Sequence, residues 1–421
     1  RGGNFLNPIM DNKLIYEFSS QKTDGDASLS NLLGGKGANL AEMSKLGIQV
    51  PPGFTITTEA CNYFSKNKKL PDGLKEEIIN YVSNLESLSQ KSFGNSESPL
   101  LLSVRSGGMI SMPGMMDSIL NIGLNDDNVQ NLAKAFNDER FALDSYRRLI
   151  QMYSNVVLGV EMDRFEAVIA NKKRIDNVTS DADFNVEQLE WIINAYKNTV
   201  ERFTNSPFPQ DPHEQLLGAI EAVFSSWQNK RAITYRKINN IPDSLGTGAT
   251  IQTMVFGNLN DKSGTGVAFT RNPSNGSKEL YGEYLINAQG EDVVAGIRTP
   301  HPIKNDDSVE QESLESKFPN AYKEIKEIAA KLEKHFKEVQ DLEFTIENEK
   351  VYLLQTRKAK RTAQASIKIA IDLHNEGITT KEESLIMVDA NNITNVLHPQ
   401  FVQSQEKALF TKALNASPGA A

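Results

Sequence analysis

The sequence predicts an α+β fold, with a mixed α/β arrangement as the alternative, spread over two or three packed units. Three observations carry this expectation. Long stretches such as 138–158 and 186–204 place apolar residues at helical spacing. Short apolar runs such as 101–104 and 342–346 sit between turn-forming residues, as strands do. A chain of 421 residues is long for a single hydrophobic core. Hydrophobic residues make up 39% and charged residues 24%, the balance of an ordinary soluble globular protein. A formal charge of −9 argues against nonspecific nucleic-acid binding. No apolar run approaches the roughly 20 residues that span a bilayer, and the opening Arg1-Gly2-Gly3-Asn4 lacks the apolar core of a signal peptide. The single cysteine, Cys61, cannot form an intrachain disulfide, which fits a reducing, cytoplasmic setting. Met10 is a candidate natural start, with residues 1–9 as an extension.

The elements follow in order. Residues 36–46 read as a helix with Leu40, Met43 and Leu46 on one face, stopped by Gly47. Residues 49–58 read as extended chain with a Pro51-Pro52-Gly53 turn, and 57–65 and 74–88 as helices, the first burying Cys61 as a structural thiol. The polar stretch 92–99 is a loop leading to a strand at 101–104. Helices at 138–158 and 186–204, with a polar surface connection at 171–184, suggest an inserted helical subdomain over 125–205. A long helix is expected at 213–237, and strands at 250–256, 265–271 and 280–288, with turns at 258–264 and 272–276. A helix at 321–338 precedes a hairpin, 342–346 and 351–356, turning over Glu347-Asn348-Glu349. Beyond residue 360 the chain reads as a mostly helical connector. The expected division is 1–124, 125–205, 206–358 and 359–421.

Three constellations carry chemistry. The apolar run Leu101-Leu102-Ser103-Val104 delivers Arg105 into a loop with Gly107, Gly108, Pro113 and Gly114. Loop amides can point at phosphate oxygens, and a guanidinium supplies two-pronged charge-assisted bonds. The alternative is a turn with a packed cluster of Met109, Met112, Met115 and Met116. As a phosphate site, 107–116 would act as a lid, given its glycines and unbranched Met side chains. Second, Leu33-Gly34-Gly35-Lys36-Gly37 puts an ammonium in a Gly turn at a helix start, which is either an anion site or an ordinary solvated cap. It is not a Walker A loop, because Ser30 replaces the first Gly and Gly37 the metal-binding Ser or Thr. Third, in the hairpin Asp341, Glu343 and Thr345 alternate with Leu342, Phe344 and Ile346, while Gln355 and Arg357 share a face of the return strand. Such carboxylates can hold Mg²⁺ through oxygen while Arg meets phosphate, or they form a solvated face with a cross-strand ion pair. Arg140, Arg147 and Arg148 lie roughly on one helix face and read as a solvated face or structural ion pairs.

In Arg105-Ser106-Gly107-Gly108 and the following Ser111-Met112-Pro113-Gly114-Met115-Met116-Asp117-Ser118, the chain closely resembles the nucleotide-binding domain of the pyruvate, phosphate dikinase family. The resemblance continues through Leu33-Gly34-Gly35-Lys36-Gly37, Val255-Phe256-Gly257-Asn258, Thr270-Arg271-Asn272-Pro273, Asn287-Ala288-Gln289-Gly290-Glu291, Asp341-Leu342-Glu343 and Leu354-Gln355-Thr356-Arg357. Phosphoenolpyruvate synthases share the Lys and Arg, but their loop after the Arg reads differently.

The resemblance implies an ATP-grasp nucleotide-binding fold with an inserted helical subdomain and a C-terminal helical linker. It implies catalytic roles for Lys36, Arg105 and Arg357. ATP would be held by Lys36, Arg105, Gly107, Gly108, the main chain at Met254 and Val255, Glu291, Asp341, Glu343 and Gln355. Mg²⁺ would be held by Asp341 and Glu343. It further implies ATP, phosphate, AMP and pyrophosphate as ligands, and phosphoryl transfer to a histidine on a swivelling domain. Interconversion of pyruvate and phosphoenolpyruvate would occur on a barrel domain, within a homodimer. None of the five histidines, His213, His301, His335, His374 and His398, has the context expected of that histidine. The closing Ala416-Ser417-Pro418-Gly419 resembles the opening of the swivelling domain, so the chain reads as the ATP-binding portion of a longer enzyme. The alternatives are a synthase-like or other ATP-grasp phosphotransferase, and a non-catalytic ATP-sensing module.

Overall fold

The computed structural model describes residues 13–390, except 95–96, 113, 115–117, 296–297 and 306–310, together with residue 393. The chain divides into two compact units, Arg1–Val255 and Phe256–Ala421. The boundary therefore falls inside the expected 206–358 stretch. Helices and two antiparallel sheets make an α+β fold, as the sequence predicts. Among the described residues no helix is long and apolar enough to cross a membrane.

The first unit is built on β1 (Ile15–Phe18), β2 (Gly53–Ile56), β3 (Leu102–Gly107), β4 (Ser118–Ile122) and β5 (Gly248–Thr253), whose spatial order is β1-β2-β5-β3-β4. β5, the last in sequence, therefore sits at the centre, between β2 and β3. Helix α1 (Ser30–Lys45) lies on the sheet and buries Leu33, Ala38, Leu40 and Met43. The expected start at residue 36 reflects a real break: Gly34 has φ +68°, and the regular helix resumes only after it. Helix α2 (Thr58–Asn67) begins as expected, because Thr57 accepts a hydrogen bond from the Ala60 N–H. Cys61 is fully buried, and burial pushes its thiol up to about 11. Helix α3 (Leu74–Ser89) completes this part.

The helical stretch comprises α4 (Val129–Phe136), α5 (Glu139–Val156), α6 (Met162–Asp176) and α7 (Val186–Thr204), followed by α8 (Pro212–Ser226) and α9 (Lys230–Ile238). Two expectations are corrected here. The polar residues 171–176 end a helix rather than begin a surface connection. α6 shows only Phe165 and Ile169 to the interior, too thin a stripe to read as helical, yet Phe165 stacks edge-on against Tyr196 of α7. The single helix expected at 213–237 is two. The break at Trp227 is held by the indole N–H donating to the Asp243 carbonyl and by Arg236 stacked 4.1 Å over the Trp227 ring. The three arginines of α5 are structural. Arg147 and Arg148 close on the buried carboxylate of Asp144 at 2.7 and 3.0 Å, and Arg140 donates to the carbonyls of Phe184 and Asp181.

The second unit is a five-stranded sheet in the order β10-β9-β6-β7-β8: β6 (Gly264–Phe269), β7 (Tyr281–Ile286), β8 (His301–Pro302), β9 (Gln340–Glu347) and β10 (Lys350–Lys358). The short α10 (Gly290–Ala295) packs on β6 and β7; α11 (Leu314–Lys317) leads into α12 (Pro319–Phe336), which packs on β9 and β10. The hairpin turns at Asn348 and Glu349, both at positive φ, one residue later than the expected apex begins. Helices α13 (Ala363–Asn375) and α14 (Lys381–Ile386) follow. α13 is fastened to the unit: Ala365, Ile369 and Leu373 share a core with Val339 and Ala359. Arg271, fully buried, binds Glu333 of α12 at 2.7 Å and Glu376 after α13 at 2.8 Å. Removing one member of such a buried pair costs about 3–5 kcal/mol, so the segment expected as a connector begins as part of the folded unit.

Asp144 gives a pH dependence. Burial works against its charged form, but the charges of Arg147 and Arg148 outweigh that and hold the carboxyl well below the usual aspartate range. A depressed folded-state pKa contributes stability that is complete above the unfolded value, about 4, and is lost as pH falls below it. The stability difference between the wild type and Asp144→Asn, measured by urea unfolding, is expected to shrink steadily from pH 5 towards pH 2; a constant difference would contradict this assignment.

Candidate functional site

In the first unit, strand register fixes where Arg105 stands. It pairs with Thr250 of β5 and Ser118 of β4, one residue before the buried Ser106, and its side chain is half-buried. The strand continues to Gly107, three residues beyond the expected end, so Arg105 stands within β3 rather than past it. The Gly34-Gly35-Lys36 turn lies directly against this strand end. The Gly35 N–H donates to the Gly108 carbonyl at 3.0 Å, and the Lys36 ammonium donates to the Ser106 carbonyl at 3.0 Å. The approach is so close that a Cβ on Gly34 would lie 1.7 Å from the Gly107 carbonyl oxygen, and one on Gly107 would lie 3.0 Å from the Lys36 Cβ. Segments some seventy residues apart thus bring together Lys36 and the root of the Gly loop, beside Arg105.

Two details differ from a loop that offers every amide to a ligand. The Gly107 N–H is committed to the buried hydroxyl of Thr247 at 3.1 Å. The Met254 N–H is committed to the Leu101 carbonyl at 2.9 Å. In the loop itself, Met109 and Ile110 are exposed while Met112 is buried. Pro113, Met115, Met116 and Asp117 lie outside the described residues, as do His398 and the closing 416–419 segment.

In the second unit, antiparallel pairing puts the hairpin residues in rows. Gln355 pairs with Glu343, and Arg357 with Asp341, so all four share one face of the sheet. The alternation read from the sequence is correct, despite a bulge between Leu353 and Gln355 that re-aims the return strand. On the other face Leu342, Phe344 and Ile346 are buried. Arg357 donates from Nε to Asp341 Oδ2 at 2.7 Å, the cross-strand ion pair that the sequence left as one of two readings. Asp341 is largely buried, and burial raises its pKa although Arg357 pulls the other way.

The register also shows a residue that the sequence reading missed. Glu343 and Glu283 of β7 both pair with Val267 of β6, so Glu283 faces the same side as Glu343, two strands away. Burial raises its pKa as well. Tyr281 and Glu283, two residues apart on β7, share this face, and only the register connects it to the hairpin. Glu291 lies in α10, which packs on β6 and β7.

Among the described residues no three of His, Cys, Asp and Glu converge closely enough to hold a metal ion. Magnesium does not require such a cage, since it is commonly held by one or two carboxylates together with substrate phosphates. Asp341, Glu343 and Gln355 offer the hard oxygen donors it prefers on one sheet face, so the residues present fit it. Each of the four described histidines has a structural neighbour: His213 stacks on Phe93, His335 on Phe336, and the Nδ1 atoms of His301 and His374 share hydrogen bonds with the carbonyls of Glu312 and Thr379.

The family model described as "Pyruvate phosphate dikinase, AMP/ATP-binding domain" matches residues 30–92, 66–321 and 303–377. The chain is 51% identical over 413 residues to a pyruvate, phosphate dikinase of Clostridium symbiosum, covering 97% of this chain and 46% of that protein. It is 49% identical over 414 residues to the enzyme of that name from Rhizobium meliloti, with the same coverage. It is 46% identical over 425 residues to the chloroplastic pyruvate, phosphate dikinase 1 of Arabidopsis thaliana, covering 99% of this chain and 43% of that protein. The chain therefore spans a little under half the length of these curated relatives. Matched in order along almost its whole length, the chain belongs to the pyruvate phosphate dikinase family and comprises its AMP/ATP-binding domain.

Proposed function

We propose that the chain binds Mg·ATP together with inorganic phosphate and activates the nucleotide for phosphoryl transfer to a histidine outside these 421 residues. In that transfer the bond between the α- and β-phosphorus atoms breaks, releasing AMP. The β-phosphoryl group passes to the histidine, and the β–γ bond breaks as the γ-phosphoryl group passes to phosphate, giving pyrophosphate. The phosphohistidine then serves the interconversion of pyruvate and phosphoenolpyruvate on a further domain, in a homodimeric, cytoplasmic enzyme. The observation that carries this reading is the joint between the Lys36 turn and the strand end bearing Arg105, sealed by the Gly35–Gly108 hydrogen bond. It sets two cations at the root of a Gly loop, an arrangement suited to a polyphosphate.

Phosphoryl transfer needs positioning and charge neutralisation more than covalent chemistry from the protein. Lys36 and Arg105 supply cations for the phosphate oxygens, and Gly108 lets the backbone approach them. The Val255 N–H and Met254 carbonyl meet the adenine edge, and Glu291 serves the ribose or the metal. Asp341 and Glu343, with Gln355, hold magnesium, which when bound neutralises charge on the phosphates. Arg357 favours the charged form of Asp341 against the effect of its burial, and has further N–H donors to offer phosphate.

Lys36→Ala and Arg105→Ala are each expected to weaken ATP binding by about 1.5–3 kcal/mol, the worth of a charge-assisted phosphate contact, while circular dichroism shows the fold retained. Wild-type affinity in both variants, by calorimetry, would show the phosphate site to be misplaced. Incubation of the chain with β-labelled ATP is expected to leave no stable protein-bound label, since none of its five histidines has the sequence context of the acceptor. Acid-labile label on a histidine of this chain would overturn the assignment of the acceptor to another domain.

A further inference from the structure

We infer that Thr247 is a positioning residue for the phosphate site, setting the point from which the Gly loop departs; the inference rests on the nucleotide-binding reading above. Thr247 stands immediately before β5 and is completely buried. Its hydroxyl does two things at once. It accepts the Gly107 N–H at 3.1 Å and donates to the carbonyl of Gly248 at 3.1 Å. Gly107 is the last residue of β3, and Gly248, its partner in the ladder, is the first of β5.

The geometry around Gly107 explains why this hydroxyl matters. On one side the Gly34-Gly35-Lys36 turn presses against the strand end, with the Gly34 Cα at a distance that admits no Cβ, and binds the Gly108 carbonyl and the Ser106 carbonyl. Thr247 holds the Ser106–Gly107 peptide from its N–H, while Lys36 holds the carbonyl of that same peptide. Residues 106, 107 and 108 are thus each tied by a different group: a lysine ammonium, a threonine hydroxyl and a backbone amide. Gly107 and Gly248 are also partners in the β3–β5 ladder, so the hydroxyl braces the last pair of that ladder from the side, touching both strands. Without the hydroxyl, the last pair of the ladder loses the bond that ties its two strands from the side, and the Ser106–Gly107 peptide is freer to turn. Turning it moves the Ser106 carbonyl, which is part of that peptide, and shifts the Gly108 carbonyl beyond it, and with them the Lys36 ammonium and the start of the loop. Arg105, two residues before Gly107 on the same strand, is shifted too. The damage should therefore fall on phosphate recognition and spare contacts to the nucleoside, which come from the main chain at Met254 and Val255.

That split is the test. ATP and adenosine binding to the 421-residue chain are measured by calorimetry for the wild type, Thr247→Val and Thr247→Ser. Val keeps the branched shape and loses the hydroxyl, whereas Ser keeps the hydroxyl. Thr247→Val is expected to lose about tenfold in ATP affinity with adenosine affinity unchanged, and Thr247→Ser to restore wild-type ATP binding. If Thr247→Val does not fold, Thr247→Ala takes its place with the same expectation. Equal losses for ATP and adenosine, or no rescue by Ser, would make Thr247 a packing residue and overturn the inference. Unchanged ATP binding in Thr247→Val would overturn it alone, whereas a wild type that binds no ATP would overturn the nucleotide-binding reading itself.

Discussion

The arrangement depends on one close approach of backbone to backbone. Gly34 sits against the Gly107 carbonyl with no room for a Cβ, and the adjacent Gly35 N–H closes a hydrogen bond on Gly108. This contact interrupts α1, and it does so with a left-handed residue that only glycine adopts readily. The interruption lets the helix restart on the sheet with Lys36 in its first turn. The same contact holds the end of β3, and so determines where Arg105 and the Gly loop stand. A regular helix through residues 30–45 would carry Lys36 away from that strand end.

The second unit rests on a different constraint, the antiparallel register of a single sheet. Once Arg357 faces Asp341 and Gln355 faces Glu343, the chemistry of one face is settled, because a shift of one residue would turn every side chain over. The bulge at the return strand absorbs an extra residue just before this pair and preserves the pairing. Asp341 is then a carboxylate whose burial favours protonation and whose arginine partner favours charge. A group balanced in this way responds strongly to a cation brought beside it.

Much of this was legible in the sequence, and the reasons are specific. The alternation from Asp341 to Ile346 and the apolar run ending at Val104 are local patterns with a period, and the family motifs brought together Lys36, Arg105 and the hairpin. Local patterns failed where tertiary packing replaced periodicity. α6 is held by two buried side chains and a neighbouring helix, so its polar composition read as surface. The helix break at Trp227 is made by Asp243, beyond the expected helix, and by Arg236 folding back over the ring, a tertiary contact that helical spacing does not encode. Thr247 and Glu283 were invisible for a related reason: each acquires its role through a cross-strand neighbour, and no spacing along the chain encodes that neighbour. The ion pair of Asp341 and Arg357 was one of two open readings until the register put them opposite each other.

The proposed phosphate site requires the Lys36 turn and the Gly107 strand end to act as one joint. Hydrogen exchange at the amides of residues 33–36 and 107–112, followed with and without Mg·ATP, tests it most directly. Exchange is expected to slow in both segments together when nucleotide is added, while the amides of α5 change little. Equal exchange with and without Mg·ATP, or slowing in one segment alone, would contradict it.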